Sequence, residues 1–267
     1  MRRISIVTPS YNQGDYLEET LDSVLSQGIP GLEYIVMDGG STDQSVSIIR
    51  KYEKYLAYWQ SQPDGGQTQA LLEGFRRATG DVLAWINSDD RYMPGTLAKV
   101  QRAFSEDPGL ELLYGDYSLL YPGGRTVPKP KISFDFDISL HAFLMIPQPS
   151  SFWTRRLYEA VGGLNTRYQY AFDYDLFLRF GKHLESRPGS IRHVQDLWAL
   201  FRVHDESKSV SLQERFTPEY EAILAQFGVP ARGVMREVRK NIALFRTLLR
   251  YYQERGFVPL RKEAGKA

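Results

Sequence analysis

Two adjacent acids, Asp89 and Asp90, are the side chains of this chain best suited to do chemistry. They end the segment Asn87-Ser88-Asp89-Asp90, which directly follows an apolar run. Neighbouring carboxylates repel each other, and a hard divalent cation offsets that repulsion by binding their oxygens. Such a cation could also hold a diphosphate by bridging its oxygens. A surface turn before Pro94 is the alternative interpretation, and the position after a buried strand favours the cation site.

Two further polar segments could contact a nucleotide. Asp38 ends another apolar run and could hydrogen-bond a base or a ribose, although a plain Asp-Gly turn explains it nearly as well. In Asp64-Gly65-Gly66-Gln67 the glycines would let backbone amides approach a ligand, because glycine lacks a Cβ; a simple helix entry is the alternative. The sequence has neither GxxxxGK nor GxGxxG, so P-loop and nicotinamide sites lack their fingerprint.

Two later residues complete the candidate chemistry. Asp173 opens a predicted helix, where a carboxylate is stabilised by the helix dipole, and it could also act as the base that deprotonates a hydroxyl. His204 follows a predicted strand and could bind a metal ion, although a single histidine in a loop is more often solvated.

The elements that must position these residues follow from hydrophobic periodicity. Short apolar, β-branched runs at 4–8, 34–37, 57–61 and 82–86 alternate with segments of helical period, which predicts βαβ units and a mainly parallel sheet. Asp15 is a plausible N-cap for the first helix. Ligands bind beyond the carboxyl ends of strands in such sheets. Polar clusters follow all four runs, so we expect four strand ends to face one pocket.

The second half of the chain is less regular. Aromatic residues, prolines and glycines at 115–150 predict a loop-rich or antiparallel region beside the pocket. Helical spacing returns at 173–182, and 197–203 has the pattern of a late strand. We therefore expect a catalytic domain over 1–215, with a nucleotide-binding half (1–114) and an acceptor-side half (115–215), followed by a helical extension over 216–267.

The C-terminal tail combines an apolar stripe with an excess of basic charge. Beyond Pro230, ten lysines and arginines stand against three glutamates. The stripe consists of Val234, Val238, Ile242, Phe245, Leu249 and Tyr252. One interpretation is an interfacial helix on anionic lipid. The other, which sequence alone favours, is that the stripe packs on the catalytic domain or on a second subunit while the arginines stay solvated.

Composition excludes several classes of protein. The formal net charge of +1 indicates no nucleic-acid partner, and the lack of cysteine excludes disulfides and thiolate chemistry. No stretch approaches the ~20 apolar residues of a membrane-spanning helix, and the apolar run at the N-terminus is too short for a signal peptide. We expect a cytoplasmic protein, with a peripheral position at the inner face of a membrane if the tail binds lipid.

Taken in order, these motifs resemble the family 2 inverting glycosyltransferases with the GT-A fold, an α/β fold, and the likeness spans about residues 3–210. The motifs that carry it lie at 5–12, 36–43, 64–67, 87–90, 173–176 and 202–204. Two positions depart from the family pattern: Asn87 replaces the first acid of the DXD-type motif, and Phe172 stands where many relatives carry an acid.

The resemblance implies a role for each matching residue. Asp173 would be the catalytic base, and Asp89, Asp90 and His204 would hold Mn²⁺ or Mg²⁺ against the donor diphosphate. The residues expected to bind the nucleotide sugar are Thr8, Pro9, Tyr11, Asp38, Gly66, Gln67, Asn87, Ser88 and Asp89. The residues expected on the acceptor side are Gln148, Ser151 and Trp153.

The implied activity is a metal-dependent, inverting hexosyl transfer. A nucleotide-diphosphate sugar, with UDP as the first candidate, would donate to a hydroxyl of a saccharide or lipid-linked acceptor in cell-surface polysaccharide synthesis, and the enzyme could be a homo-oligomer. Two rival hypotheses are a sugar nucleotidyltransferase and a non-catalytic carbohydrate-binding protein. The first usually needs a basic glycine-rich loop, which residues 9–14 lack, and the retained acidic motifs argue against the second.

Overall fold

The structure, a computed structural model, describes residues 2–205, 213–230 and 233–256. Strands and helices alternate through the first half of the chain. The strands are β1 (Ile4–Ser10), β2 (Glu33–Asp38), β3 (Tyr58–Ser61), β4 (Val82–Trp85), β5 (Arg91–Tyr92), β6 (Leu112–Leu120), β7 (Thr126–Lys129), β8 (Ser151–Thr154) and β9 (Ile191–Arg202). The helices are α1 (Gly14–Leu25), α2 (Ser45–Tyr52), α3 (Gln67–Arg77), α4 (Thr96–Glu106), α5 (Phe136–His141), α6 (Arg155–Ala160), α7 (Phe172–Leu184), α8 (Gln213–Gln226) and α9 (Val234–Arg255).

The strands of the described chain form one sheet in the order β3-β2-β1-β4-β8-β6-β9-β5, with β7 paired to β6. The four strands expected from the sequence are present, and they pair in parallel as β3-β2-β1-β4. Beyond them the sheet is mixed, because β8 runs antiparallel to both β4 and β6 while β6 and β9 pair in parallel. The α/β fold with a mainly parallel first half is confirmed.

Helices cover both faces of the sheet. The alternation of side chains along a strand sends Ile4 and Ile6 of β1 into one hydrophobic core, against α1, α2 and α4, and Val7 into the other, against α3 and α7. Gly74 lets α3 lie directly on β1, since a Cβ at this position would come within 2.4 Å of Val7 Cγ1. This close packing fixes the loops at the carboxyl end of β1.

The structure corrects the expected N-cap of the first helix. Asp15 lies in the first turn of α1, and the N-cap is Gln13. The expectation of a loop-rich or antiparallel region at 115–150 is confirmed, because β6 and β7 pair antiparallel there, and the region also contains the short helix α5. Helix α8 crosses the boundary expected after residue 215. Through Ile223 and Leu224 it packs into the core that contains Val7 and residues of α3 and α7. We propose that the extension begins with α9.

Helix α9 reverses the orientation that the sequence favoured. Three of its arginines face the domain: Arg246 and Arg250 pair with Asp135, and Arg255 pairs with Asp116. The apolar stripe is exposed, so the expectation that it packs on the catalytic domain is wrong. Arg232 and the basic residues at 261–266 lie outside the described residues. Within the described part of the chain, no helix combines the length and apolarity needed to cross a membrane.

Candidate active site

The carboxyl ends of β1, β2, β3 and β4 meet the start of α7 at a cavity of about 680 Å³. Residues at or just beyond these strand ends form much of its lining: Pro9, Ser10, Tyr11, Gln13, Gly39, Pro63, Asp64, Gly66, Gln67, Asn87, Ser88 and Asp89. The other lining residues are Ala70, Trp85, Gln148, Gln169, Tyr170, Phe172, Asp173, Phe201 and Phe216. The expectation that four strand ends face one pocket is therefore confirmed.

The loop after β1 presents Tyr11, whose side chain is 61% exposed. The next residue, Asn12, has a φ of 51°, a left-handed conformation that asparagine tolerates better than most residues. Its Oδ1 accepts a hydrogen bond from the backbone N–H of Thr42, and its own N–H donates to Ser41 Oγ. The loops after β1 and β2 are thus tied together beside the cavity.

Thr8 and Asp38 lie outside the lining in this structure, and their expected contact with the nucleotide stays a prediction. Thr8 is fully buried and shares a hydrogen bond of 2.9 Å with the Tyr34 hydroxyl. Asp38 is 1% exposed, and its carboxylate accepts hydrogen bonds from the backbone of the following turn and from the hydroxyls of Ser41 and Ser61. Its oxygens are already engaged in holding the loop, so its role in this structure is to shape the cavity wall.

The glycine loop before α3 is shaped by Asp64, whose Oδ1 accepts a hydrogen bond of 2.7 Å from the N–H of Gly66. Gly66 has a φ of 98°, a conformation that side chains other than hydrogen rarely adopt. A glycine is therefore required to turn the chain into α3 at this point, and Gln67 begins the helix inside the cavity lining.

Three amide side chains connect opposite segments of the lining. Gln67 donates to Asn87 Oδ1 at 2.8 Å, Asn87 donates to Gln148 Oε1 at 3.1 Å, and Gln148 donates to the carbonyl of Trp85 at 3.0 Å. A carboxylate at position 87 could not donate to Gln148 and would add a third negative charge beside two acids. The departure from the family pattern at Asn87 therefore has a structural reason.

The two adjacent acids have different environments. Asp90 is 1% exposed and accepts hydrogen bonds from the backbone N–H of Arg202 and from Asn87, and burial together with the nearby charge of Asp89 raises the pKa of Asp90 well above its ordinary value. The Asp89 side chain is 20% exposed and lines the cavity, with its Oδ2 at 3.0 Å from His204 Nε2. Of the two acids, Asp89 is thus the one that lines the cavity.

A carboxylate and an imidazole are suitable donors for Mn²⁺, and Mg²⁺ also takes carboxylate oxygens. The ring of Tyr16 packs against His204 with centroids 4.6 Å apart, which fixes the imidazole beside Asp89. No group of three or more metal-binding side chains is present among residues 2–205, 213–230 and 233–256. The pair fits a cation that takes its remaining ligands from a diphosphate and water, as divalent ions at phosphate sites commonly do.

Asp173 lies in the first turn of α7, where it lines the same cavity as Asp89. Its Oδ1 accepts a hydrogen bond of 2.8 Å from the N–H of Tyr174. Burial raises the pKa of this carboxyl to about 6. The preceding Phe172 is 5% exposed and packs against Trp85, so an acid at that position would be buried against an indole ring. With a pKa of about 6, Asp173 is ionised at neutral pH and still basic enough to accept a proton.

Of the three residues expected on the acceptor side, only Gln148 lines the cavity. Trp153 is fully buried and packs against Trp85 and Phe177 at centroid distances of 5.3 and 5.9 Å, so it belongs to the core. Ser151 is also fully buried and donates to the carbonyl of Gln148. Both residues lie in β8, whose first three residues are buried.

Sequence reasoning missed an aromatic part of the lining. Tyr170 and Phe216 contact each other with ring centroids 5.6 Å apart, and Phe201 lies at the end of β9. Tyr170 lies three residues before Asp173, and this proximity in the sequence is a signal that could identify it. Phe216 lies more than forty residues further along, and no local pattern connects it to the site.

Comparisons with known proteins show the family of this chain. Residues 5–112 match the family model described as "Glycosyl transferase family 2". The chain is 34% identical over 197 residues to an uncharacterized glycosyltransferase of Mycobacterium tuberculosis, Rv1514c, with 72% of each protein covered. It is 25% identical over 209 residues to the hyaluronan synthase of Pasteurella multocida, which covers 78% of this chain and 21% of that protein.

A solved structure shares the fold. Glucosyl-3-phosphoglycerate synthase from Mycobacterium tuberculosis, crystallised with Mn²⁺, UDP and glucosyl-3-phosphoglycerate, superposes with a TM-score of 0.59. The two chains are 22% identical, and the match covers 86% of this chain and 81% of that one.

Proposed function

The chain belongs to glycosyl transferase family 2 and is a glycosyltransferase, and we propose that it moves a hexosyl group from a UDP-sugar to a hydroxyl acceptor with inversion at the anomeric carbon. The observation that carries this proposal is that Asp89 and Asp173 line one cavity of about 680 Å³. That volume lies in the range of pockets that enclose a ligand of nucleotide-sugar size. One acid is available for the diphosphate side and the other for the acceptor proton.

The loops after β1, β2 and β3 would bind the nucleoside. Pro9 and the exposed ring of Tyr11 offer an apolar surface for a base, and Gly39 and Asp64 lie in the same wall. Ser10 also lines the cavity, and its Oγ is buried without a hydrogen-bond partner among the described residues. A buried hydroxyl without a partner is costly, so it would be satisfied by a polar atom of the nucleoside.

Asp89 and His204 would hold a divalent cation, and glucosyl-3-phosphoglycerate synthase was crystallised with Mn²⁺ and UDP. Such an ion, when bound, neutralises the negative charge that grows on the departing diphosphate. Asp90 would contribute indirectly, because its hydrogen bonds to Asn87 and to the backbone of Arg202 fix the turn that carries Asp89.

Asp173 would take the proton from the acceptor hydroxyl as that oxygen bonds to the anomeric carbon. The bond between this carbon and the diphosphate oxygen breaks on the opposite face, and the nucleoside diphosphate leaves with the bonding electrons. A single displacement of this kind inverts the configuration, so an α-linked donor gives a β-linked product. The raised pKa of Asp173, about 6, suits a general base at neutral pH.

A saccharide hydroxyl is the proposed acceptor, in the synthesis of a cell-surface polysaccharide. The match to a hyaluronan synthase, whose product is a polysaccharide, supports this class. Within the cavity, Gln148, Tyr170 and Phe216 provide the amide and aromatic surfaces that commonly bind sugar rings.

A thermal-shift screen of nucleotide sugars, each with and without Mn²⁺, tests the proposal. A UDP-sugar should raise the melting temperature of the full chain more strongly with Mn²⁺ than without it, because a ligand that binds the native state stabilises it by mass action. The responding donor would then be incubated with saccharide acceptors, and the product linkage determined by NMR. If no nucleotide sugar gave a shift, or the product retained the donor configuration, the proposal would be wrong.

A further inference from the structure

Helix α9 attaches to the domain through its charged face. Arg246 and Arg250 pair with Asp135, which is 5% exposed at its side chain, and Arg255 pairs with Asp116 at 2.6 Å. Ala243, on the same face, is 2% exposed and belongs to a small core with residues of α5. The polar side of this amphipathic helix is therefore the side that the domain covers.

The apolar side of α9 points away from the domain. Six of its side chains are between 42% and 81% exposed: Val234, Val238, Ile242, Phe245, Leu248 and Leu249. Their spacing of three, four and seven residues places them on one outer face of a helix that runs for 22 residues. A contiguous exposed apolar surface of this kind usually marks a contact with another molecule or with a membrane.

The charges beside this face are predominantly positive. Arg239 and Lys240 are exposed, and no ion pair to either of them is found in the described part of the chain. Glu237 is the acid next to them. The sequence that follows α9 adds three basic residues, at 261, 262 and 266, against one acid at 263. The apolar face is thus accompanied by a net positive charge.

We propose that the outer face of α9 docks on an anionic lipid surface. Apolar side chains that enter the interfacial layer, with cations at their margin, are the features of an interfacial amphipathic helix. Two copies of this chain joined through the same face would bring basic margins together, and like charges repel. A negatively charged lipid surface complements both the apolar face and its basic margin.

The first turns of α9 lie close to the helix that carries Asp173. Arg236 and Lys240 of α9 line a second cavity of about 460 Å³ together with Tyr174 and Tyr220, and Tyr174 directly follows Asp173 in the chain. If Asp173 is the base of the proposed function, docking would hold a lipid-linked acceptor near the helix that carries this base. This consequence rests on the proposed function, whereas the docking itself does not.

Vesicle co-sedimentation of the full chain tests the docking. One set of vesicles contains phosphatidylglycerol mixed with phosphatidylcholine, and the other contains phosphatidylcholine alone. The test variant is Phe245→Ser combined with Leu249→Ser, which removes two exposed apolar side chains without opening the core. The matched control is Tyr55→Ser, because Tyr55 is 59% exposed and lies in the first half of the chain.

The full chain should sediment with the anionic vesicles, and the double variant should bind them at least about tenfold more weakly, because it lacks two large apolar side chains that would be buried in the lipid interface. Tyr55→Ser should bind like the unmodified chain. Replacing Arg239 and Lys240 by glutamine should weaken binding to the anionic vesicles, and added salt should do the same. UDP binding should stay unchanged in the double variant, which shows that it is folded.

Three results would overturn the docking proposal. The full chain could fail to bind anionic vesicles, or the double variant could bind them as well as the full chain does. Light scattering could instead show a stable dimer that the double variant dissociates, which would identify a second copy as the partner of this face. A failure of UDP binding in the full chain would count against the proposed function and would leave the vesicle result interpretable.

Discussion

Replacement of Asp173 by asparagine should separate activity from stability. Asparagine keeps an oxygen that can accept the hydrogen bond from the N–H of Tyr174, but it cannot take a proton from an acceptor. Loss of a general base costs about 10²- to 10⁴-fold in turnover. Since each tenfold corresponds to about 1.36 kcal/mol, the barrier should rise by about 3–5 kcal/mol while the affinity for UDP stays nearly unchanged.

The same substitution should stabilise the fold at neutral pH. The pKa of Asp173 rises from its ordinary 3.8 to about 6 in the folded protein, so ionisation of this group opposes folding. The cost is absent below about pH 4, grows as the pH rises through the interval up to about 6, and is complete above it. The free energy of unfolding changes by about 1.36 kcal/mol for each pH unit of that interval. Asp173→Asn should therefore raise the free energy of unfolding by up to about 3 kcal/mol at pH 8 and leave it unchanged at pH 3.

Two assays measure these effects. Turnover is followed by release of UDP at saturating donor, and the free energy of unfolding by urea titration at several pH values. The unmodified enzyme should lose activity about tenfold per pH unit below pH 6. Asp137→Asn is the control, since Asp137 also lies in the first turn of a helix but is exposed and pairs with Arg246. Near-normal transfer by Asp173→Asn would remove Asp173 from the role of base.

The remaining predictions concern the cation site and the core. Asp89→Asn should abolish the Mn²⁺-dependent part of UDP binding measured by calorimetry, whereas Asp90→Asn should keep it, because Asp90 is buried and Asp89 lines the cavity; equal loss in both would contradict the assignment. Gly74→Ala should destabilise the protein by about 1–3 kcal/mol in urea unfolding, because α3 must move off β1; an unchanged midpoint would refute the close packing. Arg179→Met should lower the free energy of unfolding by about 3–5 kcal/mol in the same assay. The substitution leaves the carboxylate of Asp175, which is 1% exposed at its side chain, without its cation. A loss below about 1 kcal/mol would show that the pair is dispensable.

Much of the nucleotide-binding half could be predicted from the sequence. Its four strands are apolar, β-branched runs that end abruptly at polar turns, and parallel pairing then brings those turns to one edge of the sheet. The mixed half is harder to predict from the sequence. Strands β6 and β8 pair with each other although 36 or more residues separate them in the chain, and the hydrophobic pattern of each strand alone is weak.

The finer details of the site depend on contacts between distant residues. Asp89 and Asp90 have the same chemistry, and their roles differ because the N–H of Arg202, 112 residues later, binds Asp90. The orientation of α9 is a similar case, since an amphipathic stripe has the same period whichever side faces out. Asp116 and Asp135 decide it by pairing with the arginines of α9.

A crystal structure of the full chain with UDP and Mn²⁺ tests the central claim most directly. The account predicts the nucleotide in the cavity, with its base against Pro9 and Tyr11. The cation should contact Asp89 and His204, and the Asp173 carboxylate should face the phosphate that carries the sugar in the donor. A nucleotide bound outside this cavity, or a cation that contacts neither Asp89 nor His204, would contradict it.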